Sequence, residues 1–383
     1  MSYSKPYIKE IYSNHTAGTK MSIGLFLTIL CLLIPVPVTV SAQTFQHPGL
    51  RLSDSTLLFM KTNVLTKDGT VMSAYNEMTT WKGYRDGMQK QLPSSLSYLP
   101  QPISIIRVGP YEKPHIGQDE MMTDATAAFI HAINWYVYRQ DSDGRKAMQI
   151  FNAWSSRLTM IDPWHNGELA AAWSGNILCE AAEIIRTTYP TNTNDWKAFD
   201  NMLRKIYYPA IKDFSKSEAG NWKCASTQCM MAMGVFLDDT NYYKQAKDYF
   251  FSDEESLGSL RGYVHTDGTT RESTRDQLHE QMGVLHLVNT CEIAWTQGED
   301  LYGAYDNLLL KGLEGTADRV LSKGTVVYDG WDIAYRHYHD IKKLPTPKMD
   351  ALRASGKWSG QTWRYWTCGL WPKMTHRLYD PRS

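Results

Sequence analysis

The sequence predicts an all-α protein, in which antiparallel helix pairs form a closed ring. Apolar residues recur at helical spacing in one segment after another from Asp124 onward. Turn signals separate these segments, and strand-like alternation is nearly absent, Gly262 to Thr266 being a short exception. No linker rich in Gly or Ser interrupts the helical part, so a single domain is expected.

The size and charge of the chain limit the classes of function that it can have. The chain has 383 residues, of which 43% are hydrophobic, enough for a large core. Forty basic residues balance forty acidic ones, so no overall field attracts nucleic acid or an anionic membrane. An acidic substrate would therefore have to be held by local arginines. The 13 Trp and 23 Tyr residues suit either helix packing or the stacking of sugar rings.

The N-terminus predicts export. Ile23 to Val40 is largely apolar, follows Lys20, and leads to a small-residue cleavage site at Ala42. Pro35 and Pro37 interrupt this run, which suits a signal peptide better than a membrane span. We therefore expect a periplasmic or secreted protein that has no membrane attachment after cleavage.

Four segments follow from these observations. The signal is preceded by residues 1–20, an extension that would be absent if translation began at Met21. The predicted segments are 1–42, the signal peptide; 43–104, an N-terminal helical segment; 105–345, the helical core; and 346–383, an aromatic and basic tail that packs on the core.

The helices are assigned in chain order from apolar periodicity and from the turn residues between them. A loop rich in Pro, Ser and Gly spans 92–118, and Asp141 to Gly144 is assigned as a turn. The predicted helices are Ser53–Val71, Ala74–Gln91, one beginning near Asp124, Arg145–Leu158, Glu168–Tyr189, Trp196–Phe214, Trp222–Leu237, Tyr242–Phe251, Asp276–Trp295, Leu301–Leu321 and Asp332–Ile341.

Cysteine and histidine spacing predicts neither disulfides nor a metal site. Five cysteines remain after cleavage, an odd number placed mostly within helices, so most are expected to be small buried side chains. No Cys-x-x-Cys or paired histidine spacing suggests zinc, and we expect no cofactor.

The densest polar stretch is Arg271 to Gln281, which runs directly into an apolar helix. If that helix begins near Ser273 or Thr274, Arg275 and His279 share one face, beside the apolar stripe. Such a border between polar and buried faces is where residues lining a cleft are found. The alternative is a charged helix start whose groups only pair with one another and with water.

Several motifs resemble the alginate-lyase-like polysaccharide lyases, in particular a divergent branch found in Bacteroidetes. The resemblance covers roughly residues 105 to 340, and the order and spacing of its motifs are more specific than any one of them. The motifs are Gly109-Pro-Tyr followed by Ile116-Gly, Asn152-Ala-Trp-Ser, Gly220-Asn-Trp, Met233-Gly-Val-Phe-Leu-Asp-Asp, Arg275-Asp-Gln-Leu-His and Glu292-Ile-Ala-Trp.

The resemblance implies an (α/α) toroid, or incomplete barrel, that cleaves an acidic polysaccharide by metal-independent β-elimination. Asn221 matches the asparagine that grips the substrate carboxylate, and its alternative role is helix capping. Better-studied relatives have a histidine after this asparagine, whereas this chain has Trp222, which could stack on a sugar.

Arg275 and His279 match the second catalytic segment, in which relatives carry arginine and tyrosine. Imidazole titrates near neutrality, so His279 is the candidate base, although a structural histidine is the alternative. Arg275, or Arg271 one turn earlier, would pair with the substrate carboxylate unless it pairs within the chain with an acid.

Three further residues are weaker candidates for substrate binding. His165 lies between two helices, and Tyr111 lies on the long loop, from which it could close over a groove. Tyr338 belongs to a segment rich in tyrosine and histidine, where a phenol could supply the acid.

Two other functions fit the same fold. A glycoside hydrolase would need two carboxylates that flank the scissile bond, and Asp276, Glu280 and Asp124 are available. A non-catalytic glycan-binding protein would retain the groove but lack the base, and Trp222 in place of histidine leaves this alternative open.

Overall fold

The structure is a computed structural model and describes residues 44–83, 91–109, 115–162, 166–214, 220–325, 327 and 330–357. These residues form fourteen α-helices and two short parallel strands, β1 (Ile105–Ile106) and β2 (Met160–Ile161). The helices are α1 (Asp54–Leu65), α2 (Gly69–Thr80), α3 (Gln118–Tyr138), α4 (Asp141–Arg157), α5 (Gly167–Thr188), α6 (Thr193–Met202), α7 (Tyr208–Ile211), α8 (Gly220–Phe236), α9 (Thr240–Phe250), α10 (Leu260–Tyr263), α11 (Gln277–Thr296), α12 (Ala304–Lys323), α13 (Trp331–Tyr335) and α14 (Pro347–Ala354).

The helices form two layers, which confirms the all-α toroid. The inner helices α3, α5, α8 and α11 pack side by side in that order, and α4, α9 and α12 pack outside α3, α8 and α11. Inner helices are buried almost all round, and accordingly α5 and α8 are rich in Ala, Met and other apolar residues. Outer helices such as α4 and α9 bury only one face.

Two contacts show that the inner helices run parallel. Lys223 in the first turn of α8 donates to the Glu168 carboxylate in the first turn of α5, at 2.7 and 2.8 Å. About two turns further along, Gln228 of α8 lies 2.7 Å from the Nδ1 atom of His286 of α11. The N-termini of α5, α8 and α11 therefore lie at one end of the toroid, here called the N-terminal end.

The segment that precedes α1 closes the opposite end. His47 binds Glu183 near the end of α5, and the backbone amide of Gly49 donates to the same carboxylate. Arg51 is buried and pairs with Glu180, and Gln46 exchanges hydrogen bonds with Gln297 just beyond α11. These polar contacts attach an otherwise irregular segment to the ends of two inner helices.

Several predicted boundaries are wrong. A break at Lys67, whose φ is +57°, ends α1 and separates it from α2, so Ser53–Val71 is not one helix. The predicted turn at Asp141 to Gly144 is the first turn of α4, in which acidic residues favour the helix N-terminus. The predicted strand from Gly262 is helix α10 followed by a single bridge between Val264 and Thr270.

Other boundaries shift because local geometry departs from a regular α-helix. The long predicted helix from Trp196 is α6, a π-helical turn (Leu203–Tyr207) and α7. The last predicted helix is α13 followed by the π-helical segment Arg336–Ile341. In α12, Tyr305 to Asn307 have positive φ, so its right-handed turns begin at Leu308.

The cysteines of the described residues behave as predicted. Cys179, Cys224, Cys229 and Cys291 are free and buried, and burial raises the pKa of the Cys291 thiol well above its ordinary value. Cys368, the predicted signal peptide and the end of the tail lie outside the described residues. Among the described helices, none is long and apolar enough to cross a membrane.

Candidate active site

The first turn of α8 presents a buried amide, that of Asn221. Its side chain is 0% exposed, and among the residues that the structure describes neither its Oδ1 nor its Nδ2 atom has a hydrogen-bond partner. Because α8 begins at Gly220, Asn221 lies inside the helix and makes no capping bond. Leaving a buried amide unpaired costs about 1–3 kcal/mol. Trp222 beside it is partly buried and packs against the core.

The turn before α11 carries both arginines and is held by Glu280. This carboxylate is 0% exposed, accepts hydrogen bonds from the Ser273 hydroxyl at 2.8 Å and the Thr316 hydroxyl at 3.2 Å, and is paired with Arg319. The helix itself begins at Gln277 with Asp276 as N-cap, which agrees with the predicted range Asp276–Trp295 and excludes the alternative start near Ser273 or Thr274. Ser273 therefore binds Glu280 and caps nothing.

The two arginines of this turn differ in their partners. Arg275 is half exposed, lies before the N-cap of α11, and contacts Glu272 at 3.4 Å and Asp276 at 3.7 Å. The prediction that Arg275 shares a helix face with His279 is therefore wrong, whereas pairing with neighbouring acids is confirmed. Arg271 is exposed and has no ion pair with any described residue. Its aliphatic stem packs on Gly220, since a Cβ added there would lie 2.9 Å from the Arg271 Cδ atom.

His279 is oriented by Asp276. The Nδ1 atom of the ring lies 2.8 and 2.7 Å from the two carboxylate oxygens of Asp276, and the side chain is 24% exposed. The Nε2 atom has no hydrogen-bond partner within the described part of the chain. Although burial opposes it, hydrogen bonds from the His279 backbone and ring and the nearby positive charges lower the pKa of Asp276.

Tyr263 links the two helices that carry these groups. Its ring approaches Gly220, where an added Cβ would lie 3.0 Å from the Tyr263 Cδ2 atom. Its hydroxyl donates to the backbone carbonyl oxygen of His279 at 3.0 Å and lies in contact with Gly283. The first turns of α8 and α11 are thus brought together at the N-terminal end, with Asn221, Arg271 and His279 around them. Sequence analysis missed Tyr263 because its segment was assigned to a strand.

Beneath the site, three inner helices share a neutral histidine. His286 is fully buried, and its Nδ1 atom contacts Gln228 at 2.7 Å while its Nε2 atom accepts from the Trp173 indole at 3.1 Å. Burial and the charge of Arg51 lower the pKa of His286 to about 3. This imidazole therefore stays uncharged, and its role is to join α5, α8 and α11.

The carboxylates considered for a hydrolase are already bonded. Asp124 is buried and accepts hydrogen bonds from the Trp154 indole and from the backbone amide of Gln101, both at 2.7 Å. Burial raises its pKa to about 6. Glu280 is bonded to Ser273, Thr316 and Arg319, and Asp276 is bonded to His279. This arrangement leaves no pair of free carboxylates among these three residues and disfavours the hydrolase.

The structure places Tyr338 away from the first turns of α8 and α11, and this arrangement disfavours its predicted contact with substrate. Tyr338 is 0% exposed, and its hydroxyl donates to the backbone carbonyl oxygen of Tyr302 at 2.9 Å. Its neighbour His337 stacks on Tyr302 and contacts Trp295 in the last turn of α11, at the end of that helix opposite His279. His165 and Tyr111 lie outside the described residues.

The described residues contain no group of three or more His, Cys, Asp or Glu side chains suited to hold a metal ion. The described part of the site contains the guanidinium groups of Arg271 and Arg275 and the N-termini of α8 and α11. Such N-termini favour anions because their backbone N–H groups are unpaired.

Comparison with known proteins gives a consistent family. The family model of alginate lyases matches residues 74–325. A search of curated proteins gives no match. The structure is similar to alginate lyase A1-III from Sphingomonas species A1, with 12% identity, a TM-score of 0.58, and coverage of 80% of this chain and 94% of that one.

Two further solved structures have the same fold. A complex of alginate lyase A1-III with a tetrasaccharide gives 12% identity and a TM-score of 0.57, over 80% of this chain and 94% of that one. An alginate lyase from Bacteroides ovatus also gives 12% identity and a TM-score of 0.57, over 85% of this chain and 100% of that one.

Proposed function

This chain belongs to the alginate lyase family and is a polysaccharide lyase, and from that premise we propose that it cleaves a uronic-acid polymer of the alginate or glucuronan type by β-elimination. The observation that supports this most directly is the buried amide of Asn221, which has no hydrogen-bond partner among the described residues. Its neighbour Gly220 packs against Arg271, whose guanidinium has no ion pair with any described residue. Both are donors, and both lie at the N-terminal end of the toroid, where the Nε2 atom of His279 has no hydrogen-bond partner in the described part of the chain.

The reaction begins with neutralisation of a substrate carboxylate. The proton on C5 of a uronic acid is weakly acidic until hydrogen-bond donors withdraw charge from the adjacent carboxylate. Asn221 and Arg271 supply those donors, Arg271 through its planar guanidinium fork. Since Arg275 is paired with Glu272 and Asp276, we assign it to support of the turn and Arg271 to the carboxylate.

Proton transfer then falls to His279. Its Nε2 lone pair takes the C5 proton, the C4–O4 bond breaks, and a C4=C5 double bond forms. The resulting imidazolium returns the proton to the departing O4 oxygen, which requires both atoms to lie on one face of the sugar. No metal ion is needed in this scheme, because the arginine and the amide carry the electrostatic role.

Substrate contacts beyond the reacting sugar are assigned to Trp222. Its partly buried indole follows Asn221 directly and offers a face on which a neighbouring sugar can stack. A binding protein without catalysis would use the same surface, and only a reaction assay distinguishes the two.

The assay follows ultraviolet absorbance while the protein is incubated with alginate, glucuronan and a neutral glucan. A lyase produces a conjugated, unsaturated uronate end that absorbs, whereas a hydrolase produces reducing ends without that absorbance. We expect absorbance to rise with a uronate polymer, in the presence of EDTA as in its absence. Binding without absorbance for all uronate polymers would overturn the proposal in favour of a glycan-binding protein.

Variants test the assigned residues. His279→Ala should lower kcat by roughly 10²- to 10⁴-fold, and Asn221→Ala should lower kcat more than it weakens binding, since its bond strengthens as charge develops. Arg271→Ala should reduce turnover more than Arg275→Ala does. His339→Ala is the control, because that histidine contacts Asp340 and Tyr335 away from the site. Full activity of His279→Ala would assign the base to another residue.

The protein is further proposed to be exported, with a mature chain that begins near Ala42. N-terminal sequencing of the protein recovered from the periplasm or the medium tests this. A chain recovered only in the cell interior with its first 42 residues intact would contradict it.

A further inference from the structure

Asp276 is hydrogen-bonded to two groups of His279, the backbone amide and the imidazole ring. Helix capping explains only the bond to the backbone amide. Its Oδ1 atom accepts the backbone amide of His279 at 2.9 Å, which is the ordinary bond of an N-cap. Both carboxylate oxygens also lie within 2.8 Å of the ring atom Nδ1 of His279. A cap needs one oxygen on one amide, so the contact with the ring calls for a separate explanation.

We propose that Asp276 is a positioning residue for proton abstraction, because it holds the hydrogen of His279 on Nδ1 and so leaves the lone pair on Nε2. This proposal rests on the assignment of His279 as the base. It adds a residue that does not touch substrate and that acts through the tautomer and orientation of the imidazole.

The chemistry of the contact fixes the direction of the hydrogen bond. An ionised carboxylate can only accept hydrogen bonds, so Nδ1 must be the donor in both contacts. In a neutral imidazole the other ring nitrogen then carries the lone pair. The Nε2 atom has no competing partner in the described residues, so its lone pair is available to a substrate.

Neighbouring charges keep Asp276 ionised and in place. Arg275 contacts Asp276 at 3.7 Å and is itself held by the buried Glu272 at 3.4 Å. From α10, Tyr263 fixes the backbone of His279 by donating to its carbonyl oxygen, and the buried Glu280 anchors the turn through Ser273. The position of the imidazole is thus fixed by the contact of its ring with Asp276 and by the hydrogen bond to its backbone. Arg275 supports it indirectly, through Asp276.

The test separates positioning from capping by changing the ring contact while a cap is kept. Asparagine and serine are both good N-caps, so Asp276→Asn and Asp276→Ser should preserve the helix start. In Asp276→Asn, the amide oxygen keeps the backbone bond, and the NH2 group turned to the ring makes Nδ1 an acceptor. The hydrogen then moves to Nε2, where the lone pair is lost. Serine is too short to reach the ring and leaves the tautomer unset.

Two readouts are measured on the full-length protein. Imidazole ¹⁵N spectra of histidine-labelled protein, with the His279 signals assigned from His279→Ala, report the tautomer whether or not the enzyme turns over. Steady-state kinetics on a uronate polymer report kcat and KM separately. In the serine-protease triad the equivalent aspartate-to-asparagine change leaves the geometry intact and lowers kcat by about 10⁴-fold through the wrong tautomer.

We expect the wild-type ring to carry its hydrogen on Nδ1, and Asp276→Asn to move it to Nε2. That variant should lose kcat by roughly 100-fold or more with KM changed only a few-fold, and Asp276→Ser should lose less. Both should keep the wild-type melting temperature within a few degrees. Asp239→Asn is the matched control, because Asp239 is the N-cap aspartate of α9, away from the site, and should leave kcat unchanged.

Each outcome bears on one proposal or the other. If His279→Ala is inactive while Asp276→Asn keeps the Nδ1 tautomer and full kcat, the positioning role is overturned and the assignment of the base stands. If Asp276→Asn shifts the tautomer and loses kcat, both are supported. If His279→Ala keeps full activity, the base is elsewhere, and a catalytic role for Asp276 through this imidazole is overturned with it.

Discussion

The hydroxyl of Tyr263 donates a hydrogen bond to the backbone carbonyl oxygen of His279 across 3.0 Å. Because the same tyrosine ring packs against Gly220, one buried side chain sets the distance between the first turns of α8 and α11. The proposed carboxylate-binding amide and the proposed base lie on those two turns. Their separation therefore depends on a residue that performs no chemistry.

Gly283→Ala tests this link. The added methyl group would lie 2.0 Å from the Cζ atom and 2.1 Å from the hydroxyl oxygen of Tyr263, which is buried and cannot move away. Overpacking of this kind costs about 1–3 kcal/mol, and the displaced tyrosine should also reduce kcat. Urea unfolding and the absorbance assay measure the two effects.

Gly69→Ala is the control for that substitution, because nothing lies within 4 Å of a Cβ added at Gly69. It should leave activity unchanged and stabilise the protein by up to about 1 kcal/mol. Wild-type stability and turnover in Gly283→Ala would contradict the role of Tyr263.

Glu280→Gln should destabilise the protein through Arg319. Glu280 is fully buried and paired with this arginine, so loss of its charge leaves a largely buried guanidinium uncompensated. Breaking such a pair costs roughly 3 kcal/mol, as measured by denaturant unfolding. The double variant Glu280→Gln with Arg319→Gln should lose less than the sum of the single changes.

The same variant distinguishes a structural glutamate from a catalytic acid. If Glu280 donated a proton to substrate, Glu280→Gln would abolish turnover at temperatures at which it is fully folded. We expect turnover there to be reduced and not abolished, since Glu280 acts by holding the turn through Ser273.

The contacts of His47, at the end of the toroid opposite the N-terminal end, should stabilise the protein less as pH rises. The hydrogen bond to Glu183 raises the pKa of His47 above 6.5 although burial opposes it, and Asp238 adds a second contact at 3.0 Å. Because the folded pKa lies above the unfolded one, the stabilisation is fully present below pH 6.5 and is lost as pH rises through the raised pKa.

The stabilisation by His47 is measured by comparing the melting temperatures of wild type and His47→Gln between pH 6 and pH 9. The difference between the two proteins should be largest at the acidic end and shrink toward the alkaline end. A difference that is constant over this range would show that the charge on His47 does not stabilise the fold.

His286 should have the opposite dependence on pH. Burial and the charge of Arg51 lower its pKa to about 3, so the unfolded chain binds a proton near pH 6.5 that the folded protein does not. Its contribution to stability is present above pH 6.5 and is lost as pH falls toward 3. His286→Gln, which cannot be protonated, should therefore lose less stability than wild type between pH 6.5 and pH 4. Parallel acid titrations of urea midpoints would detect this, and identical acid slopes would contradict it.

The choice between the two arginines illustrates what the sequence could not decide. Ser273, Thr274 and Asp276 are all acceptable N-caps, so the start of α11 was ambiguous by one turn. The ambiguity is resolved by the hydrogen bond between Ser273 and Glu280. That bond keeps Arg275 off the helix and leaves Arg271 against Gly220.

The contacts of Tyr338 and Tyr263 could not be predicted from the sequence either. A phenol in a segment rich in tyrosine and histidine looked accessible, yet Tyr338 is buried against Tyr302. Tyr263 stood in a segment predicted to be a strand and instead joins two inner helices. Local pattern carries no information on either contact, since each partner comes from a distant part of the chain.

The sequence by itself determined the ring of helices, because apolar side chains at helical spacing specify which faces must be buried whatever the partners are. It also placed Asn221, Arg271 and His279 near helix starts. Only the tertiary structure decided which polar groups remain unpaired. Lys223 is paired with Glu168 and Glu280 with Arg319, while the amide of Asn221 has no partner in the part of the chain that the structure describes. The physical reason is that a hydrogen bond needs two groups within about 3 Å, and packing alone brings together groups that are far apart in the chain.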